Sequence, residues 1–373
     1  MQIAFDLRYA ADHFAGIGRH AFCLFEALLE LPGPERYTAL WNPALEIRRF
    51  DLAPLRRHPR VTWVEKPFGP MSPAALWQVG SWLREVRPAL YFSPFYFMPV
   101  GAGCPCVLTA HDVWPLRLGY GIERWKRHVF RMMLRRAKHA RLVLTSSEFS
   151  RREIHELAGL DPERVRVVRL GVPPERGGIA PRRPERAPDR PFAFTIGLGY
   201  PYKNLETVVR AWATFGAAAP LELVAAGRED GRFPRVMEMA SAHGARSVTA
   251  LGKVDEGELE WLYRNATVLV FPSAYEGFGF PLVEAFAHGL PAIASDIPAL
   301  RELDNGAARF VPPRDVEAWA RAVAELAADE EGRRRMRARG LERAAELSYR
   351  ETARATRDLL REAAGATVVE AAA

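Results

Sequence analysis

Two carboxylates on either side of a glycine-rich segment are the residues of this sequence best suited to hold a polar ligand. Glu276 and Glu284 flank Gly-Phe-Gly-Phe-Pro, which lies between an apolar run that predicts a buried strand and a short helix that begins at Pro281. A glycine loop at a helix N-terminus presents backbone N–H groups, and the helix dipole favours an anion there. Carboxylates beside it can accept hydrogen bonds from sugar hydroxyls. The segment 273–291 therefore predicts a site for a nucleotide sugar.

An acid–base pair is the alternative interpretation of the two glutamates, because paired carboxylates also serve glycoside hydrolysis. Glu276 is expected in the loop, however, and Glu284 on the helix. The two side chains would then aim at different parts of one extended ligand. We therefore interpret both as groups that hold the substrate.

Lys203 and His111 are the two further candidates, since each follows a predicted strand. Lys203 precedes a predicted helix, where a cation opposes the helix dipole unless an anion lies between them. This placement indicates a phosphate-binding lysine, with an exposed lysine as the alternative. A lone histidine is more often structural than catalytic, but the position of His111 at the end of a strand favours a role in function.

Gly16 and Gly18 form a second glycine-rich segment, Ala-Gly-Ile-Gly-Arg, near the N-terminus. The segment is expected to be a loop between the first strand and a helix that spans 20–31. It lacks the third glycine of the dinucleotide-binding fingerprint. A tight connection and a backbone-lined loop that faces a ligand both remain open.

Strand and helix patterns alternate twice along the chain, on either side of a segment rich in proline, arginine and glycine. Such alternation predicts parallel sheets covered by helices on both faces. The expected fold class is α/β, with two doubly wound, Rossmann-like domains facing across a cleft. The predicted divisions are an N-terminal domain, a linker, a C-terminal domain and a C-terminal helical segment, at 1–175, 176–190, 191–345 and 346–373. A capping box is expected at Ser150 and Glu153.

The composition is that of a soluble globular protein of 373 residues with a net charge of +7. It contains no apolar run of about 18 residues that would span a membrane. The N-terminus lacks a basic segment and a cleavage site, and the three cysteines are too few for a disulfide framework. We therefore expect a cytoplasmic protein with an anionic partner. The sequence shows no Asp-x-Asp metal-binding motif.

A basic segment at 124–141 contains no acidic residue. Apolar residues recur in it at helical spacing, which is typical of a core helix with a solvated basic face. The same pattern fits a helix that lies on an anionic membrane surface. A nucleic-acid role is disfavoured, because no aromatic stacking platform accompanies the charge.

The whole pattern resembles family 4 of the glycosyltransferases, the retaining enzymes of the GT-B fold. The segment Ser273–Pro291 is similar to the signature of that family, including its E-x7-E motif at Glu276 and Glu284. Further segments agree in the same order. They are Asp6 with Gly16–Arg19, Thr109–Asp112, Ser146–Ser150, Arg169–Val172, Lys203–Leu205 and Leu347–Thr352.

This resemblance implies roles for the individual residues. Glu284 holds the ribose of the donor nucleotide, Glu276 contacts the transferred sugar, and Lys203 binds the diphosphate. His111 lies near the sugar, where its ring and backbone carbonyl orient the reacting face. The remaining implied contacts to the donor come from Gly16 and Gly18, from the backbone near Val254, and from the segment Gly277, Phe278, Gly279, Phe280 and Leu282. Many relatives carry an arginine shortly before the lysine; here Arg228 or Arg19 takes its place, or one charge contact is missing.

The implied activity is a retaining, metal-independent transfer of a hexose from a nucleoside-diphosphate sugar to a glycan or lipid-linked acceptor. The N-terminal domain would bind the acceptor and the C-terminal domain the donor. The opening from Asp6 to Arg19 resembles bacterial mannosyltransferases of polysaccharide and glycolipid synthesis, which suggests GDP-mannose, with UDP- and dTDP-sugars as alternatives. The last helix is expected to cross back to the N-terminal domain. The enzyme would be cytoplasmic, at the inner face of the membrane if the basic helix binds lipid.

Two other functions fit the same architecture. Some sugar-nucleotide epimerases share the GT-B fold, but they lack this placement of the E-x7-E segment. A non-catalytic nucleotide-sugar-binding subunit is the second, and the intact Glu276, Glu284, Lys203 and His111 argue against it. Product analysis separates an epimerase from a transferase, because an epimerase needs no acceptor.

Overall fold

A computed structural model of the chain describes residues 1–70, 72–119, 122–172 and 180–365. Part of the predicted linker (176–179) and the end of the predicted C-terminal segment (366–373) lie outside the described residues. The chain divides into two compact units. The first comprises Met1–Pro174 and Ser348–Ala373, and the second comprises Glu175–Leu347.

The first unit is built on a parallel sheet of seven strands in the order β3-β2-β1-β4-β5-β6-β7. Its strands are short apolar runs because helices cover both faces. Along β1, Ile3 and Phe5 enter one hydrophobic cluster and Ala4 enters the other, as the period of two requires. The elements are β1 (Gln2–Asp6), α1 (Ala15–Glu30), β2 (Arg36–Trp41), α2 (Ala53–Arg56), β3 (Val61–Glu65), α3 (Ala75–Val86), β4 (Leu90–Ser93), β5 (Cys106–Thr109), α4 (Trp114–Arg117), α5 (Arg124–Arg136), β6 (Leu142–Thr145), α6 (Glu148–Ala158) and β7 (Val165–Val167).

The second unit repeats this plan with six parallel strands in the order β10-β9-β8-β11-β12-β13. Its strand order reverses between β8 and β11, which pair with each other. Ligands of such sheets bind beyond the carboxyl ends of the strands at this reversal. The elements are β8 (Phe192–Ile196), α7 (Leu205–Phe215), β9 (Glu222–Ala226), α8 (Val236–His243), β10 (Val248–Gly252), α9 (Glu256–Asn265), β11 (Val268–Phe271), α10 (Phe280–Ala287), β12 (Ala292–Ser295), α11 (Pro298–Arg301), β13 (Ala308–Val311), α12 (Val316–Ala328) and α13 (Glu330–Glu346).

The last helix, α14 (Tyr349–Ala363), belongs to the first unit. Its buried face, which includes Ala353 and Leu360, joins the same hydrophobic cluster as α1. Arg361 forms an ion pair with the buried Glu35 at 2.6 Å. The predicted fold class, two doubly wound Rossmann-like domains, is confirmed. In the described part of the chain, no helix is both long and apolar enough to cross a bilayer.

Two local predictions are wrong. Residues 15–19 are not a loop but the first turn of α1, where the N–H of Gly18 donates to Phe14 O at 2.6 Å. The capping residue of α6 is Ser147 rather than Ser150, because the Ser147 hydroxyl accepts the Ser150 N–H at 3.0 Å. Glu153 does not complete a capping box, since it lies inside the helix and pairs with Arg117 at 3.3 Å.

Candidate functional site

Lys203 and Glu276 meet at the strand reversal of the second unit. Lys203 follows β8 and Glu276 follows β11, and the Lys203 Nζ lies 2.6 Å from Glu276 Oε1. Their side chains are only 18% and 14% exposed, so the ion pair is shielded from much of the solvent. The sequence predicted a role for each residue, and the structure brings the two into direct contact.

Lys203 is positioned by the residues on either side of it. It ends a one-turn 3-10 helix, Pro201–Lys203, and its stem crosses Gly197, where a Cβ would lie 3.4 Å from Lys203 Cε. Asn204 follows with a left-handed φ of 55°, a conformation that asparagine adopts more readily than most residues. Its side-chain amide donates to Pro272 O at 3.0 Å and to Pro313 O at 2.6 Å. Asn204 therefore joins the turn that carries Lys203 to the loop that carries Glu276.

The N-terminus of α10 presents unused backbone donors beside this pair. Among the described residues, the backbone N–H groups of Phe278, Gly279 and Phe280 have no hydrogen-bond partner. Such groups favour an anion at a helix N-terminus. The structure does not support the predicted contact of Leu282 with the donor, because its N–H already donates to Gly279 O at 3.0 Å and its side chain is buried.

Gly279 permits the close packing of this loop. Its φ is 113°, and a Cβ here would lie 2.4 Å from Leu300 Cδ2. The backbone conformation disfavours a larger residue, and a Cβ would also require the Leu300 side chain to shift. The glycine thus fixes the direction in which the loop enters α10.

Glu284 is a buried carboxylate, 8% exposed, on the second turn of α10. The hydroxyl of Tyr263 on α9 donates to Glu284 Oε2 at 2.7 Å. Tyr263 itself packs edge-to-face on Phe194 of β8, with ring centroids 5.2 Å apart. The predicted ribose-binding carboxylate is therefore held in place by a tyrosine from a neighbouring helix.

His288 extends this network. Its ring stacks on Tyr263 with centroids 5.0 Å apart, and its Nδ1 lies 2.7 Å from Glu284 O. Its Nε2 lies 3.0 Å from Glu260 Oε2. Burial alone would raise the pKa of Glu260, but hydrogen bonds from His288 and Arg264 outweigh it and lower that pKa. Glu260 is therefore ionised at neutral pH and fixes the ring that supports α10.

Arg228 and Val254 follow the next two strands. Arg228 is exposed just after β9, and its carbonyl would lie 3.3 Å from a Cβ at Gly199, so it flanks the loop that leads to Lys203. Val254 is half-buried after β10, at the edge of the sheet. Both lie at the carboxyl ends of their strands, together with Lys203 and Glu276.

His111 lies at the carboxyl end of β5 in the first unit and is half-buried. Its Nε2 lies 3.0 Å from Pro94 O, and because a carbonyl can only accept, Nε2 carries the proton. The Ser150 hydroxyl donates to His111 O at 3.2 Å. Burial lowers the pKa of His111 to about 4, although the bond to Pro94 acts against this shift. At neutral pH the ring is uncharged, with Nδ1 as an acceptor.

His20 of α1 packs edge-to-face on His111, with ring centroids 5.0 Å apart. It is buried, and burial together with the neighbouring His111 lowers its pKa well below the usual value. Tyr349, from the last helix, places its hydroxyl 3.5 Å from His20 Nδ1. His20, which the sequence did not single out, thus packs against His111, and Tyr349 in turn packs against His20.

Gly16 and Gly18 differ in their surroundings. No atom lies within 4 Å of a Cβ built at Gly16, whereas one at Gly18 would lie 3.0 Å from Ala11 O. Gly18 therefore serves close packing, and only Gly16 borders open space. At the end of β1, the buried Asp6 binds Arg8 at 2.6 Å and accepts the Tyr91 hydroxyl at 2.6 Å. These two contacts engage both oxygens of the buried carboxylate and give Asp6 a structural role at this position.

At the carboxyl ends of its strands, the second unit thus combines the cations Lys203 and Arg228 with three unused amides and two carboxylates. A diphosphate suits the first two, and hydroxyl-rich rings suit the carboxylates. In the described ranges, no group of three or more His, Cys, Asp or Glu residues could hold a metal ion. The sequence missed Asn204, Tyr263, His288 and Glu260. For two of them there was a signal, since Asn204 directly follows Lys203 and His288 lies within the segment 273–291. Tyr263 and Glu260 lie on α9 with no marking pattern.

Two family models cover most of the chain. Residues 179–343 match the model of glycosyl transferases group 1. Residues 15–176 match the model of glycosyltransferase family 4.

Curated relatives point to the same group, and a solved structure shares the fold. The O-antigen chain mannosyltransferase B of Escherichia coli is 28% identical over 72% of this chain and 72% of the relative. The O-antigen chain mannosyltransferase RfbU of Salmonella typhimurium is 28% identical over 59% of this chain and 60% of the relative. The structure of Anabaena HepE in complex with UDP and glucose is 16% identical, with a TM-score of 0.69 over 97% of this chain and 100% of that chain. The last likeness shows the fold.

Proposed function

The chain belongs to the family 4 glycosyltransferases of the GT-B fold, and from that premise we propose that it transfers a hexose from a nucleoside-diphosphate sugar to a glycan or lipid-linked acceptor. The reaction would serve cell-surface polysaccharide or glycolipid synthesis. Mannose is the proposed sugar, because two relatives are named O-antigen mannosyltransferases. GDP-mannose is the first candidate donor. UDP- and dTDP-sugars are the alternatives, and HepE was solved with UDP.

The observation that carries this proposal is the ion pair of Lys203 and Glu276 beside the unused amides of α10. A diphosphate bound there would take hydrogen bonds from Lys203 and from the amides of residues 278–280. The exposed Arg228 is the proposed second cation, in place of the arginine found in many relatives. Charge of this kind, fixed before the reaction, stabilises a departing diphosphate.

The two carboxylates divide the rest of the donor between them. Glu284, oriented by Tyr263, is proposed to accept hydrogen bonds from the ribose hydroxyls. Glu276, beside the phosphate-binding lysine, is proposed to bind hydroxyls of the transferred sugar. The backbone near Val254 would contact the base.

The first unit is proposed to bind the acceptor. His111 would orient the reacting sugar through its ring, whose Nδ1 can accept a hydrogen bond from a hydroxyl. Gly16, with open space beside it, lets a ligand approach the backbone of α1. Gly18 is proposed to serve close packing rather than contact with the donor.

The proposed reaction retains the anomeric configuration. The bond from C1 of the sugar to the diphosphate oxygen breaks, and the bond from C1 to the acceptor oxygen forms on the same face. The acceptor hydroxyl gives its proton to the departing diphosphate. Lys203 and the amides stabilise that anion, so the protein contributes mainly position and charge.

The test is a purified transfer assay with a nucleotide sugar and an acceptor glycan, with the anomeric configuration read by proton NMR. The proposal predicts release of the nucleoside diphosphate together with a product of the same configuration as the donor. An inverted product would contradict the mechanism. Conversion of the donor without acceptor, to an epimeric sugar nucleotide, would instead identify an epimerase. No turnover despite nucleotide binding would favour a non-catalytic subunit.

Metal independence is tested in the same assay. Because Lys203 and backbone amides supply positive charge at the diphosphate, we expect full activity in excess chelator. Loss of activity that manganese restores would contradict this part of the proposal.

The basic helix α5 is proposed to hold the enzyme at the anionic inner face of the membrane. Phe130 and Leu134 are buried, whereas Trp125, Val129 and Met132 are 64%, 41% and 52% exposed. These three recur at helical spacing and form one apolar stripe. Exposed cations flank the stripe, namely Arg124, Lys126, Arg131 and Arg135. An apolar stripe bordered by cations is typical of a helix that lies in an anionic lipid surface.

Liposome co-sedimentation tests this placement. Wild-type protein should bind vesicles with acidic lipid several-fold better than neutral vesicles, and Trp125→Ala should reduce the binding. Trp77→Ala is the matched control, because Trp77 is 59% exposed on α3, outside the basic helix. Equal binding to both kinds of vesicle, or equal losses in the two variants, would exclude the proposed role of α5.

A further inference from the structure

A polar groove lies in the second unit at the amino ends of β11 and β12, whereas Lys203 lies at the carboxyl ends of the strands. It has a volume of about 320 Å³. The groove is bounded by the ends of α9 and α10, by the residues that precede β11 and β12, and by the first two turns of α13. Four arginines line it, Arg264, Arg333, Arg334 and Arg337, against one lining carboxylate, Glu330.

The charge of these arginines is only partly balanced. Arg264 pairs with Glu260, and Arg334 pairs with Glu330, each at 2.5 Å. Arg333 donates to the carbonyls of Leu326 and Ala327 at the end of α12. No ion pair to Arg333 and no partner of any kind to Arg337 is present within the described ranges. Two guanidinium charges therefore face the groove without a carboxylate of their own.

Arg337 is not needed to complete the nearby helix terminus. The end of α10 is capped by its own backbone, since Gly289 N–H donates to Phe286 O at 3.0 Å and Leu290 N–H donates to Ala285 O at 2.8 Å. Gly289 has a φ of 60°, and a Cβ there would lie 2.9 Å from Arg337 Cγ. The absence of a side chain at 289 thus lets the stem of Arg337 lie across α10 and hold its guanidinium at the groove.

We propose that this groove binds a small, soluble, phosphate-bearing anion at a site separate from the donor site. A guanidinium donates two parallel hydrogen bonds to a phosphate, and several of them together compensate more than one negative charge. The volume of about 320 Å³ accommodates a ligand of the size of a phosphate ester. The groove is linked to the proposed nucleotide site through two side chains, because Tyr263 and His288 line the groove and each also forms a hydrogen bond with Glu284.

Isothermal titration of the full chain with inorganic pyrophosphate tests this proposal. Lys203→Ala serves as the background, since it removes the proposed donor-site cation and leaves the groove intact. Pyrophosphate should still bind this variant with a stoichiometry of one. Adding Arg337→Gln, which keeps most of the stem over Gly289, should weaken that binding at least tenfold, and adding Arg334→Ala should weaken it in the same direction.

Arg335→Ala is the matched control on the same helix. Arg335 is 61% exposed and pairs with Glu331, and it does not line the groove. This variant should bind pyrophosphate as tightly as its Lys203→Ala parent. Absence of pyrophosphate binding to Lys203→Ala, or equal binding with and without Arg337→Gln, would overturn the site. Failure of the proposed donor site would appear differently, as unchanged binding on going from wild type to Lys203→Ala.

Discussion

Lys203 Nζ lies 2.6 Å from Glu276 Oε1. The residue that we propose binds the diphosphate and the residue that we propose binds the sugar therefore form one ion pair. A diphosphate that binds Lys203 then competes with Glu276 for the ammonium group. We propose that the carboxylate is then directed to the sugar hydroxyls next to the scissile bond. On this proposal, binding of the donor and alignment of the sugar are coupled through a single contact.

Lys203→Ala and Glu276→Gln should therefore separate nucleotide binding from turnover. Lys203→Ala removes charge from the diphosphate and should weaken binding of the nucleoside diphosphate at least tenfold, with a larger loss of kcat. Glu276→Gln should change that binding less than threefold but lower kcat by about 100-fold. Titration calorimetry and steady-state kinetics measure the two effects.

A double-mutant cycle on the same pair measures their coupling. We expect an interaction free energy of about 1–3 kcal/mol in stability, because each single change leaves a shielded charge without its partner. Additive losses of stability would contradict the ion pair. A Lys203→Ala enzyme with normal kinetics would contradict the phosphate assignment.

Tyr263→Phe tests whether the tyrosine orients Glu284. The change removes the hydroxyl that donates to Glu284 Oε2 and keeps the ring that stacks on His288. A lost hydrogen bond to a charged group costs about 1.5–3 kcal/mol, so nucleotide affinity should fall by about tenfold or more. Tyr37→Phe is the control, because the Tyr37 hydroxyl is buried without a partner in the described structure. Equal affinities in the two variants would exclude the role of Tyr263.

Asn204 should prove essential for stability through two separable effects. Asn204→Ala loses both hydrogen bonds to the loop carbonyls and places alanine at a φ of 55°. Asn204→Gly loses the same bonds, but glycine tolerates the backbone conformation. Asn204→Gly should therefore be more stable than Asn204→Ala by about 1 kcal/mol. Chemical denaturation measures both. If the alanine variant is as stable as wild type, Asn204 does not hold the two loops together.

His111 gives the protein a pH-dependent stability whose sign follows from its pKa. That pKa is about 4 in the folded protein and near 6.5 when unfolded. Between these values the unfolded chain binds the proton and the folded chain does not, so the free energy of unfolding falls as the pH falls from 6.5 to 4. Between pH 7 and pH 5, the titration of His111 lowers the free energy of unfolding by about 2 kcal/mol.

His111→Gln should remove this part of the pH dependence. Glutamine can keep a donor toward Pro94 O and does not titrate. Urea denaturation of wild type and variant at pH 7 and pH 5 measures the change in the free energy of unfolding with pH. The pH dependence that remains in the variant contains the contribution of His20, whose pKa is also lowered. An identical pH dependence in wild type and variant would contradict the uncharged, half-buried state of His111.

The sequence predicted the fold class because short apolar runs alternate with amphipathic helices, and that pattern has few solutions. It also identified the loop of Glu276 and the helix of Glu284, since the spacing of glycines and carboxylates is local. The prediction of a loop at residues 15–19 was wrong, because two closely spaced glycines are typical of a loop. In the structure, Gly18 instead permits close packing inside a helix.

The contacts between distant elements could not be predicted from one sequence. Tyr263 and Glu284 are 21 residues apart and meet only because α9 and α10 pack on neighbouring strands. His20 and Tyr349 meet across 329 residues because the last helix returns to the first unit. These pairings depend on the tertiary arrangement, and no local spacing marks them.

The most direct test of the central claim is the affinity of the full chain for nucleoside diphosphates. Titration with UDP, GDP, dTDP and ADP should show that at least one binds the wild type in the micromolar range. Lys203→Ala and Glu284→Ala should each weaken that binding at least tenfold, while Arg335→Ala leaves it unchanged. If none of the four binds, or if the two site variants bind as tightly as the wild type, the second unit is not the donor site that we describe.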